Sequence, residues 1–201
     1  MAYRDFTFED LESKFGIKQT TKRLFTQKIT AIQPSAWLLE SLQRASNSSL
    51  TTEKAISEAI VYPILQETKF NNSDTISPFS GENLNADKKN GLNGECDFIL
   101  SRVPQSIELR TPIFNVTEAK QGIADHPRSL AQTAAQMLGA RTFNANHHKP
   151  LDTIYGVCTS GLVWIFLLLE GNTLFIDTDR YTTTNTPQLL GTIQKVVDFY
   201  E

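Results

Sequence analysis

Apolar residues recur along the chain in two rhythms, near 3.6 and near 2, and the switches between them outline the elements. Thr7 is placed to cap a short helix from Phe8 to Phe15, with Glu9 and Asp10 in its first turn and Gly16 as its stop. A second helix starts near Pro34 or Ser35 and carries Trp37, Leu38 and Leu42, and Asn47-Ser48-Ser49 reads as a linker. The stretch from Thr52 to Glu67 places Ile56, Ile60 and Ile64 on one stripe and Val61 and Leu65 roughly opposite. A helix apolar on several sides is buried on several sides, and Pro63 should kink it or distort its last turn. Either Glu53 or Glu58 on this helix is able to point inward.

Next, ISPFSGENLNAD reads as a strand that frays into a loop, and KKNGLNG as a polar turn. Two strand-like runs follow, GECDFIL and FNVTEAK, joined across the turn Pro104-Gln105-Ser106. A loop, QGIADH, leads into a helix with Pro127 near its first turn. Leu130, Ala134, Met137, Leu138 and Arg141 share one side of that helix, and Arg128, Gln132, Ala135, Gln136 and Gly139 the other. Small residues with two glutamines four apart suit close approach to a polar partner. TIYGVCTS and LVWIFLLLE read as strands, with Trp164 in the core, and Glu170-Gly171-Asn172-Thr173 turns into TLFIDTD. Thr186 caps a final helix with Pro187 at its first position. The order predicts an α/β sandwich around one mixed sheet.

Composition changes this picture little. The 201 residues suit one core-forming unit, or one domain from residue 51 to 201 with an N-terminal helical extension over residues 1–50, packed together. The longest apolar run, Leu162 to Leu169, is far below the roughly 20 residues that span a bilayer. The acidic N-terminus MAYRDFTFED is unlike a signal peptide, so the expectation is a cytoplasmic protein without a membrane partner. Cys96 and Cys158 fall inside strands and read as buried thiols. A net charge of −3 argues against a general nucleic-acid binder but not against an enzyme that grips phosphates locally.

The candidate chemistry lies where the two central strands meet. Alternation puts Glu118 and Lys120 on one face, within reach of Asp97. Two carboxylates suit a hard divalent cation, and an ammonium beside them suits orienting or deprotonating a water. A bare Glu-x-Lys is weak evidence, and the chain carries a second one, Glu12-Ser13-Lys14, which a solvated helix face explains. The copy at Glu118 differs because it ends an apolar strand, follows a strand-borne aspartate and precedes a glutamine-bearing helix; its main competitor is a structural ion pair. Glu95 is expected on the face opposite to Asp97, in solvent. His126, near the next helix start, reads first as a helix-entry residue and second as a phosphate contact; Arg128 either meets a substrate phosphate or is simply solvated, and His147-His148-Lys149 reads as an exposed loop patch.

The segments SEAIVYPILQE, FSGENLN, GLNGECDFILS, VTEAK, LAQTAAQMLGARTFN and IYGVCTSGLVWIFLLL resemble the PD-(D/E)XK nuclease superfamily, and most closely a group of bacterial, often cyanobacterial, members. The resemblance runs from about Thr51 to the C-terminus. It implies a restriction-endonuclease-like core in αβββαβ order and a Mg²⁺- or Mn²⁺-dependent nuclease acting on DNA. By the resemblance, Asp97 and Glu118 hold the metal with the backbone carbonyl of Ala119, and Glu53 or Glu58 completes the shell. Lys120 is the catalytic lysine and Gln132 the helix glutamine, with Gln136 as its neighbour; beside the resemblance, Gln136, Arg128 and His126 are the candidate substrate contacts. Cys96-Asp97 stands where the superfamily usually has Pro-Asp. Many enzymes of this fold act as homodimers. The competing expectation is an inactive module of the same fold that binds nucleic acid or protein.

Overall fold

Side-chain caps start three of the helices where the sequence signals lie. In the computed structural model, which describes residues 1–201, α1 (Phe8–Phe15) opens with Thr7 accepting from the Asp10 amide at 3.1 Å and stops at Gly16, φ 69°. Ser35 accepts from the Leu38 amide to open α2 (Ala36–Ser46), and Thr52 from the Ala55 amide to open α3 (Glu53–Ile56). The helix then passes through a π-helical turn, Ser57–Val61, into α4 (Tyr62–Asn71). Pro63 explains the turn: it has no N–H for the carbonyl of Ala59, and the Tyr62 amide reaches back to Ser57 instead.

The strands are β1 (Lys18–Lys22), β2 (Ser77–Asn83), β3 (Glu95–Ser101), β4 (Ile113–Ala119), β5 (Thr153–Thr159), β6 (Val163–Glu170), β7 (Thr173–Asp177) and β8 (Tyr181–Thr182). They form one mixed sheet in the order β1-β7-β6-β5-β4-β3-β2, with β8 beside β6. β1 with β7 and β4 with β5 are parallel, and the other pairs are antiparallel. The chain is thus α/β, as its apolar rhythm predicts. Long α5 (Pro127–Asn146) lies between β4 and β5 in sequence and packs on both. α5, α1 and Tyr3 cover one face; α2, α4 and α6 (Thr186–Asp198) cover the other. No helix is long and apolar enough to cross a membrane.

Two expectations need correction. The first 50 residues are no helical appendage, because β1 extends the main sheet beside β7, and Tyr3, Phe6 and Leu11 are buried in the core. Every side chain of β1 is exposed, so ladder hydrogen bonds rather than an apolar face hold it there. The last helix begins one residue early: Thr186 is its first residue and donates to the Thr183 carbonyl instead of capping.

Candidate functional site

The site forms where β3 and β4 part. Their ladder runs up to Phe98 opposite Thr117. Cys96 packs on the α5 side and Phe98 on the α4 side, although residues two apart on a regular strand share a face. The strand is therefore rotated at Asp97, whose Oδ2 accepts the Ala119 amide at 2.7 Å in place of a backbone carbonyl. Across β2, Gly81 stands between the pairs Ser80–Phe98 and Glu82–Cys96, opposite Asp97, with φ 68°. A side chain rarely tolerates that left-handed conformation, and its absence leaves the mouth of the site open.

Glu118 projects to the α5 side and is buried. Its Oε1 accepts from Lys120 Nζ at 2.6 Å and from Gln132 Nε2 at 2.5 Å, and its Oε2 from Gln136 Nε2 at 2.6 Å. The glutamine face of α5 thus meets a polar partner within the chain itself. Gln132 and Gln136 hold the carboxylate from two successive helical turns, while small Ala135 and Gly139 let α5 come close to the sheet and to the Tyr3 ring. Gln136 is wholly buried, so it is not a substrate contact, and its Oε1 finds no partner. A carboxylate offers about four lone-pair positions, and three are filled on Glu118.

The electrostatics follow from crowding acids in a dry place. Burial, reinforced by the charge of Asp97, pushes Glu118 up to about 7 against the pull of Lys120 and Gln136. Burial likewise raises Asp97, opposed by the Ala119 amide and Lys120 and reinforced by Glu53 and Glu95. Burial alone would lower Lys120, but Glu118 above all, with Glu53 and Asp97, outweighs it and leaves the ammonium above the ordinary lysine value. The carboxylates around Lys120 thus favour its ammonium form, which suits orienting a water.

The remaining candidates are placed less centrally. Glu53, at the start of α3, accepts from the Gln121 amide at 3.4 Å, and the Gln121 side chain clamps the Thr51 carbonyl at 2.6 Å, tying the segment after Lys120 to the helix. Both helix acids are exposed rather than turned into the core, since the apolar residues take the inward positions; Glu58 sits within the π turn and pairs with Lys54 at 3.8 Å. Of the two, Glu53 is the one that reaches the segment following Lys120. Glu95 lines the same cleft as Asp97, contrary to expectation, because side chains two apart return to one side. His126 caps α5, its Nδ1 accepting the Arg128 amide at 3.2 Å, and Arg128 is exposed with no ion-pair partner. Cys96 and Cys158 are buried free thiols on the strands flanking Glu118.

The sequence reading missed Tyr62 and the cleft it borders, a space of about 660 Å³ between α3–α4 and β2–β3 whose floor is Asp97 and Phe98. No three acidic, thiol or imidazole groups converge tightly enough to cage a metal by themselves. The set does suit a hard cation: its donors are carboxylate oxygens, they carry more negative charge than Lys120 offsets, and Glu118 has coordinating capacity to spare. No protein-family model matches the chain, and no curated protein sequence matches it.

Proposed function

We propose that the chain is a Mg²⁺- or Mn²⁺-dependent nuclease hydrolysing phosphodiester bonds in DNA. The observation that carries this reading is the gathering of Asp97, Glu118 and Lys120 at the parting of β3 and β4. The run α3–α4, β2, β3, β4, α5, β5, with the four strands adjacent in the sheet, supports a restriction-endonuclease-like core. Asp97 and Glu118 would hold the ion, with the Ala119 carbonyl and Glu53 as additional oxygen donors. Bound there, a divalent ion would supply the Lewis acidity that lowers the pKa of a bound water toward neutrality.

The side chains do the rest. Lys120 donates to the attacking water and offsets charge building on the phosphate, an effect enlarged by its burial. Gln132 and Gln136 fix the plane of Glu118, so the carboxylate does not reorganise as the reaction proceeds. Asp97, anchored by the Ala119 amide, keeps its second oxygen for the ion. His126 and Arg128 lie at the exposed start of α5, and Arg128 offers a cation to a flanking phosphate.

The test is direct. The purified full chain is incubated with DNA and Mg²⁺ or Mn²⁺; cutting is expected, stopped by chelator and lost in Asp97→Ala. Equal cutting by the variant would reject the assignment. One observation favours the non-catalytic alternative: the cleft is acidic, with Glu53, Glu58, Glu95 and Asp97 against Lys54. A chain that binds nucleic acid or protein but takes up no Mg²⁺ would establish that alternative.

A further inference from the structure

We infer that Tyr62 is a stacking platform for an unpaired nucleobase, which makes single-stranded rather than duplex nucleic acid the ligand of this cleft; this rests on the nucleic-acid reading of the Asp97 site. Three observations carry it. Tyr62 is a large aromatic left 42% exposed, and its ring lies against buried Phe98, centroids 6.4 Å apart and planes within 24°. Phe98 follows Asp97 directly, and Tyr62 and Asp97 line the same cleft. The π turn that Pro63 imposes lies between Glu53 and Tyr62 and sets how the ring is aimed relative to the acid at the helix start.

Size and charge select the strand form. The cleft of about 660 Å³ is of a size for one or two nucleotides and not for a double helix. Its walls carry Glu53, Glu58 and Glu95 besides Asp97, with Lys54 as the one cation. A duplex brings one phosphate for about every 1.7 Å of axis, and such a wall repels it. A base, uncharged and flat, covers the Tyr62 ring without that cost, and the one phosphate next to it would meet the cation that Asp97 is proposed to hold. Stacking accepts every base, so no sequence preference is expected from this contact.

Fluorescence anisotropy of the full chain with labelled 12-nucleotide strands, as DNA and as RNA, and with the matching 12-base-pair duplex, in Ca²⁺ to hold the site without turnover, tests it. The single strand should bind more tightly than the duplex. Tyr62→Phe should keep that affinity, and Tyr62→Leu, which preserves the packing on Phe98, should weaken it about tenfold, as should Tyr62→Ala if its melting temperature shows it folded. Dependence on Tyr62 with either DNA or RNA supports the inference, because the base is common to both. It is overturned if the duplex binds as tightly, if no strand binds, or if Tyr62→Leu binds like the parent chain, even where cutting at Asp97 is intact. Strand binding that needs Tyr62 in a chain that never cuts leaves this inference standing while the nuclease reading falls.

Discussion

Glu67 and Glu118 are each 3% exposed, yet they are buried for different ends. Glu67, on α4, accepts from the Ser35 amide at 2.6 Å and the Ser35 hydroxyl at 2.7 Å, and so ties the start of α2 to α4. Both of its oxygens are taken up by that one serine. Glu118 is surrounded only by side-chain donors, faces a second acid and lies one residue from the parting of two strands. An acid satisfied by a backbone amide and hydroxyl of another element is a tether. An acid held only by side-chain donors beside another acid leaves negative charge uncompensated, which is what a cation exploits.

The largest separation between the two should appear in activity. Lys120→Ala is expected to lower the rate of phosphodiester cleavage about a thousandfold, with Lys120→Arg recovering only part of it, because it removes a buried electrostatic contact to the reacting group. Glu67→Ala should leave the rate per folded molecule unchanged; single-turnover assays on both variants decide this. In stability the order reverses. Glu67→Ala strands the Ser35 donors and should cost about 2–3 kcal/mol, read as a lower urea midpoint, whereas the Lys120 variants should change it less.

The third way to sharpen the contrast is pH. Glu118, at about 7 in the fold, and Asp97, also raised, hold protons that the unfolded chain releases earlier. In that window the native state binds more protons than the unfolded one, so stability of the metal-free protein should fall as pH rises from about 4.5 to 7, the loss complete above the folded value. Saturating Mg²⁺ should flatten the slope, since it relieves the repulsion. A urea midpoint that rises across this range contradicts the account. The smallest effect expected is Asp97→Asn: it keeps an acceptor for the Ala119 amide, removes one like charge, and should stabilise the metal-free chain at pH 8 by about 1 kcal/mol. Glu67→Gln should do the opposite.

Much of this frame was legible in the residues. Thr7, Ser35, Thr52 and Gly16 carry local capping chemistry that needs no tertiary partner, and β3, β4 and the hairpin at Gly171-Asn172 follow from apolar runs between turn residues. Asp97, Glu118 and Lys120 were readable as a group because they bracket two adjacent strands. What escaped depends on contacts remote in sequence. β1 has no buried side chain to betray it, and the side on which Glu95 lies was misassigned. The charge state of Lys120 is set by burial and by Glu118, and the use of Gln136 depends on the approach of α5 to β4. Nothing in the apolar pattern of the helix sets Tyr62 apart; the π turn and the cleft beside it do.

The most direct measurement is calorimetric titration of the full chain with Mn²⁺ at pH 7, in two buffers of different ionisation enthalpy, beside Asp97→Asn. One ion per chain should bind with release of protons from the acidic pair, and the Asp97→Asn heat should vanish. Binding that is absent from the parent chain, or unchanged in the variant, would contradict a cation site at the parting of β3 and β4.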